Sequence, residues 1–133
     1  MVQYPVEGSC QCGSVRYQLL RAPRKVVACH CKECQKLSTS AFSITAMVDV
    51  DALKFSGDMA EWSRVAESGN INEAYFCGNR IYHRDPAKPD TIKLKPANLS
   101  DTTMLRPTAH VWVSEKQAWY DIPDGGPVFD KQP

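Results

Sequence analysis

The sequence predicts an all-β fold built from short antiparallel strands, and three observations carry that prediction. Apolar, aromatic and β-branched residues gather in short runs, several of them alternating with polar neighbours. Glycine, proline, asparagine and aspartate punctuate the runs at close intervals. No long segment keeps a helical period.

Taken in order, the first strand signal lies around Val15 and Tyr17, which alternate with Ser14, Arg16 and Gln18. It follows GSCQCG, where glycines flank Cys10 and Cys12. Such glycines permit a tight turn and a close approach of backbone to an ion, so the segment is expected to be a hairpin tip carrying two thiols. Pro23 marks a loop, and Lys25–Cys29 reads as a short strand running into the densest cysteine cluster. CKECQKLS is expected to form a helical turn closed by Ser38 and Thr39. A buried strand is expected over Ala41–Val48, then a turn at Asp49–Asp51 and another strand in LKFSG. Glu61–Ala66 and Ile71–Phe76 flank ESGN as a hairpin. CGNRIYHR brings in the last cysteine, Cys77, and DPAKPD is a loop. Thr91–Lys95 is expected as an exposed strand, with two more at His110–Val113 and Ala118–Ile122. The Gly- and Pro-rich end is expected to pack Phe129 as a loop. Trp62, Trp112, Trp119, Tyr75, Phe76 and Tyr82 are expected in the core.

With 133 residues, the chain is expected to form one domain spanning residues 1–133. A hydrophobic share of 43% and a charged share of 23% fit a soluble globular protein. Sixteen basic against fifteen acidic side chains leave no basic surplus, which argues against a nucleic-acid partner. No apolar run is long enough for a membrane span. MVQYPVEGSC lacks the charged lead and apolar core of a signal peptide, so the expected compartment is the cytoplasm. Thiols stay reduced there, and six cysteines are expected to be metal ligands rather than disulfides.

The cysteines are spaced Cys10-x-Cys12, then Cys29-x-Cys31-x-x-Cys34, then Cys77. Zinc accepts thiolates tetrahedrally and has no geometric demand of its own. Three thiols within six residues can converge on one ion while leaving a fourth position for a partner residue or a substrate.

GSCQCGSVRY, ACHCKECQKLS, YFCGNRIYHR and AHVWVSE together resemble the glutathione-dependent formaldehyde-activating enzyme family, which includes centromere protein V. The likeness runs from about Gly8 to Trp119. It implies a zinc-binding β-tent with two zinc ions. Carried over by position, Cys10, Cys12 and Cys77 are structural ligands and Cys29, Cys31 and Cys34 hold a catalytic zinc. The chain departs from the pattern at one place: the family's later Cys-x-x-Cys would end at residue 80, where this chain has Arg80. A guanidinium cannot ligate zinc. That leaves three outcomes, in which water completes the site, His83 or another nearby group swings in, or the site is empty with Arg80 paired to a thiolate.

Three thiolates leave zinc with a net charge of −1, a poor Lewis acid for water but a good partner for a soft donor. A thiol bound there stays nucleophilic and can add to a small carbonyl compound; the reverse is carbon–sulfur lysis. The implied activity is that of a zinc-dependent carbon–sulfur lyase on thiol–aldehyde adducts of the S-hydroxymethylglutathione type. A small thiol such as glutathione is then the expected partner. The competing reading is a non-catalytic, zinc-stabilised protein-binding module. His30 lies between two ligands and is expected to turn away from them as a supporting residue. His110 opens an apolar strand as a buried histidine with a place near the pocket still open to it. Cys31-Lys-Glu-Cys34 also has the spacing of a redox motif, but the βαβ pattern that would accompany one is missing. Arg21, Arg24 and Lys25 form a small basic group that either steers an anionic thiol or is simply solvated.

Overall fold

A computed structural model describes residues 2–123 and 125–133. Among these residues, ten strands form two sheets. The small sheet has the order β1–β2–β5, from β1 (Val6–Ser9), β2 (Arg16–Leu19) and β5 (Leu53–Ser56). The large sheet has the order β10–β3–β4–β9–β8–β7–β6. Its members are β3 (Lys25–Cys29), β4 (Ser43–Asp49), β6 (Ala60–Val65), β7 (Ile71–Cys77), β8 (Asn79–Arg84), β9 (Thr91–Leu94) and β10 (Ala109–Val111). Only the β10–β3 pair is parallel among the described residues. One short α-helix, α1 (Lys32–Ser38), follows β3 and ends where Thr39 takes a left-handed conformation.

The inward faces explain the pairing. In β2 and the residue before it, Val15, Tyr17 and Leu19 are buried while Arg16 is exposed, the period of two expected of a half-buried strand. They meet Val6 and Leu53 from their own sheet and Ala46, Val48, Ile81, Ile92 and Leu94 from the large one in one core. A run of aromatic contacts crosses between the sheets. Tyr17 packs on Phe55 at 5.4 Å between ring centroids, Phe55 on Tyr82 at 5.0 Å, and Tyr82 on Tyr75 at 4.5 Å. Gly8 sits opposite Tyr17 in the β1–β2 ladder, and any side chain there would collide with the tyrosine ring.

Three expectations need correction. Thr91–Lys95 is not an exposed strand: β9 lies between β4 and β8, and Ile92 and Leu94 are buried. Its polar residues alternate onto the other sheet face, which mimics an edge strand in sequence. Ala118–Ile122 is not a strand. The chain turns there, with Tyr120 N–H bonded to Gln117 O and Lys116 Nζ donating to the Gln117 and Tyr120 carbonyls. Trp62 and Trp119 are exposed rather than core, at 51% and 71%. The tail is loop, as its composition implies, and is held in place: Val128 makes an isolated parallel bridge with His110, and Phe129 exchanges backbone bonds with His110 and Val113. No helix among the described residues is long and apolar enough to cross a membrane.

Candidate metal centres

Strand β3 delivers Cys29 at its last residue, held by β4 on one side and β10 on the other. The chain then bends, His30 N–H donating to Val111 O at 3.0 Å, and Cys31 becomes the N-cap of α1. Its sulfur accepts the Cys34 N–H at 3.3 Å, so the turn that starts the helix also folds Cys34 back over Cys31. The three sulfurs lie within 4.8 Å of one another, with Cys29 and Cys31 at 3.5 Å. Around a zinc with Zn–S bonds of about 2.3 Å, tetrahedral S···S edges are about 3.8 Å, so the donor set fits the ion. Among the described residues no fourth His, Cys, Asp or Glu joins this group.

Gln35 locks the loop. Its Nε2 donates to His30 O at 2.7 Å and Glu115 O at 3.0 Å, while its Oε1 accepts from Gln117 at 2.8 Å. Hydrogen bonds from Cys29 and Cys31, joined by the positive charge of Lys95 and the Ser43 hydroxyl, hold Cys34 far below the ordinary thiol value against its burial. Hydrogen bonding to Cys31 and Cys34 pushes Cys29 the opposite way. Lys95, which favours ionisation of Cys34, has its Nζ anchored to Thr45 Oγ1 at 2.7 Å.

His30 is fully buried, and its ring turns into an aromatic nest of Phe42, His110 and Tyr120. His30 Nε2 and His110 Nδ1 are 2.9 Å apart, and burial lowers the basicity of both. Neither imidazole joins the triad sulfurs.

The second cluster is assembled from two hairpins. Cys10 and Cys12 occupy the β1–β2 turn, closed by Cys10 N–H to Val15 O and Gly13 N–H to Cys10 O, both 3.1 Å, with Gly13 at φ 78°. Cys77 ends β7, and Gly78 at φ 75° turns the chain into β8. Gln11 N–H donates to Asn79 Oδ1 at 3.2 Å and ties the two turns together. The sulfurs of Cys10 and Cys12 are 3.3 Å apart, those of Cys12 and Cys77 3.5 Å, and all three fall within 4.8 Å. The Val15 N–H, opposed by burial and aided by Cys12, Ser14 and Cys77, brings Cys10 down to about 6. Ser14, which sequence reasoning passed over, reaches into this cluster with its hydroxyl.

Arg80 and His83 stand elsewhere. The Arg80 guanidinium lies over the Phe76 ring at 5.5 Å and the Trp62 ring at 5.7 Å. His83 Nδ1 meets Asn72 at 3.3 Å. Both line a cavity of about 210 Å³ between α1 and β6–β8, together with Lys36, Arg64 and Glu33. Three cations against one carboxylate make it electropositive. Arg64 and Lys36 carry no local sequence signal for this role, because the cavity exists only once β6, β8 and α1 meet. A second, wider cavity of about 480 Å³ lies on the other side of α1, against Gln117 and Trp119. The Arg21–Lys25 group is a solvated face: Arg21 pairs with Asp49 and Asp51, and Arg24 with Asp49 at 2.9 Å.

Comparison with known proteins bears on the fold and the family. A crystal structure of a Rhodobacter sphaeroides protein shares the fold with a TM-score of 0.54 at 20% identity, covering 71% of this chain and 87% of that one. A Halomonas elongata protein, provisionally named a glutathione-dependent formaldehyde-activating enzyme, is 26% identical over 127 residues, or 88% of this chain and 80% of that protein. Residues 5–115 match the family described as glutathione-dependent formaldehyde-activating enzyme, a span that takes in both cysteine clusters, and the chain belongs to that family.

Proposed function

We propose that the protein is a zinc-dependent enzyme of carbon–sulfur lyase type, acting on thiol–aldehyde adducts of the S-hydroxymethylglutathione kind. Cys29, Cys31 and Cys34 hold the catalytic zinc, and Cys10, Cys12 and Cys77 hold a structural one. The observation that carries the reading is the convergence of three sulfurs from a single loop, with no other described His, Cys, Asp or Glu in reach. Such a donor set reserves a position for a guest.

Zinc held by three thiolates would bind a thiol as its fourth, soft donor and keep it nucleophilic near neutral pH. In the addition direction a sulfur–carbon bond forms, the carbonyl π bond opens, and the proton released from the thiol ends on the former carbonyl oxygen; lysis reverses each change. Lys95, beside Cys34, offsets the negative charge gathered at the triad. Gln35 keeps the loop from relaxing. The cavity bearing Lys36, Arg64 and Arg80 beside α1 suits a thiol that carries carboxylates, as glutathione does. All six cysteines are free, which suits a cytoplasmic protein whose residues 1–133 act as one zinc-binding domain.

Metal analysis of the wild type, Cys31→Ser and Cys10→Ser tests the scheme, alongside turnover of S-hydroxymethylglutathione. The expected result is about two zinc ions per chain, each variant losing a different one, with turnover lost in Cys31→Ser. A wild type purified without chelator and free of metal overturns it. Two bound ions without turnover of any hydroxymethyl thiol would instead identify a zinc-stabilised binding module.

A further inference from the structure

The geometry points to Ser14 Oγ as the fourth donor at the Cys10/Cys12/Cys77 cluster, taking the place that position 80 gives up to an arginine. The inference rests on the reading that this cluster holds a metal ion. Ser14 Oγ lies 3.0 Å from Cys12 Sγ, 3.1 Å from Cys77 Sγ and 3.8 Å from Cys10 Sγ. It touches all three sulfurs and so stands at the remaining corner of a four-cornered figure. With Zn–S bonds of about 2.3 Å and a Zn–O bond of about 2.0 Å, tetrahedral S···O edges come to about 3.5 Å, which the three distances bracket.

The other candidates are excluded by where they point. Arg80 spreads over Phe76 and Trp62, and His83 faces Asn72 in the cavity under α1. Ser14, by contrast, is fixed from behind. Gly57, at φ 96°, lets the β5 end press against the Ser14 carbonyl so closely that a Cβ would not fit. The turn bonds of Cys10 and Val15 hold the residue from the front.

A hydroxyl is a harder, weaker ligand than a thiolate. Three thiolates and a neutral oxygen leave a complex of charge −1, where four thiolates would leave −2. This site therefore binds zinc less tightly and exchanges it faster than a four-cysteine site would, while still joining two hairpins.

The test is competition between the full-length protein and a chromophoric chelator, for zinc and for cobalt(II), with the cobalt spectrum recorded. Wild type is compared with Ser14→Ala, Ser14→Thr, Ser14→Cys and Arg80→Ala. Ser14→Ala is expected to weaken one of the two sites at least tenfold, and Ser14→Thr to restore it. Ser14→Cys is expected to tighten the same site at least a hundredfold and to shift the cobalt bands to longer wavelength as a fourth sulfur enters. Arg80→Ala is expected to leave both affinities unchanged. Wild-type affinity in Ser14→Ala, or an unaltered spectrum in Ser14→Cys, overturns the assignment. So does a wild type whose single metal survives Cys10→Ser. The triad metal, lost in Cys31→Ser, is read separately, so either assignment can fail without the other.

Discussion

Gly57→Ala tests the packing that positions Ser14. Gly57 closes β5 at φ 96°, in the region where an L-residue pays a backbone penalty of roughly 1–2 kcal/mol. The added Cβ would fall against the Ser14 carbonyl oxygen, deep inside van der Waals contact, and 3.1 Å from Val15 Cα. Both obstacles are backbone, so no rotamer change relieves them. The ends of β2 and β5 would have to part by roughly an ångström, an overpacking cost of about 1–3 kcal/mol. The total, about 2–5 kcal/mol, is a large share of the stability of an ordinary domain. In urea, with a slope of about 2 kcal/mol per molar, the midpoint should fall by roughly 1–2.5 M. Gly69→Ala is the matched control: its φ is 88°, but nothing lies within 4 Å of the site of a Cβ. It should show the backbone penalty alone, a midpoint shift below about 1 M. Because the atom displaced belongs to Ser14, Gly57→Ala should also weaken metal binding at the Cys10 cluster while sparing the triad. Equal shifts in the two alanine variants would refute the steric argument, and an intact Cys10 site in a destabilised Gly57→Ala would refute its link to Ser14.

Two further perturbations address the large sheet and the triad loop. Burial, with Lys95 and Arg80 adding like charge, holds His83 at about 3, well below the unfolded value of about 6.5. Between those limits the unfolded chain takes up a proton that the folded chain refuses. The stability contribution of neutral His83 is therefore complete above about pH 6.5 and is lost as the pH falls toward 3. At about 1.4 kcal/mol per unit, wild type should lose roughly 2 kcal/mol relative to His83→Leu between pH 7 and pH 5, read from urea midpoints. Parallel pH profiles for the two proteins would rule this out. Gln35→Ala removes three hydrogen bonds that join α1 to the His30 carbonyl and the 115–117 segment. A loss of about 1–3 kcal/mol is expected, with faster release of metal from the triad to a chelator; a change under about 0.5 kcal/mol would mean that the loop is held by other contacts.

What could be read from sequence was local. Lys25–Cys29 is strand, GSCQCG is a turn between strands, and the residues after Cys31 form a helix ended by Thr39. Each of these depends on neighbours within a few positions: a β-branched run, glycines at a tight bend, a sulfur that caps a helix start. The misses share the opposite property. TIKLK alternates like an edge strand because alternation reports how a strand's faces differ, not whether it has partners on both edges; β4 and β8 supply both. Trp62 is exposed because β6 is the last strand of its sheet, so its ring is left for Arg80 to cover. Lys95 and Ser14 gained their places from pairings made far along the chain. Ser14 alone had a usable signal, standing two residues after Cys12 in the same turn.

The two clusters differ in what a metal ion, bound as proposed, would do for the fold, and the difference lies in chain separation. Cys29, Cys31 and Cys34 are neighbours, so an ion there closes almost no loop and joins nothing that β3 and α1 do not already join. Cys12 and Cys77 are 65 positions apart, and an ion there would fasten the β1–β2 turn to the β7–β8 turn. Closing a long loop removes more freedom from the unfolded chain than closing a short one, so with metal bound at both clusters the stabilising duty would fall on the Cys10 cluster. On this reading the triad could exchange a fourth ligand, or lose its metal, without loosening the two sheets. Arg80 fits the same proposed division: a structural site would need only to stay closed, and a serine supplied by its own hairpin would suffice for that. The residue at position 80 would thereby be free to join Arg64 and Lys36 in the cavity beside α1.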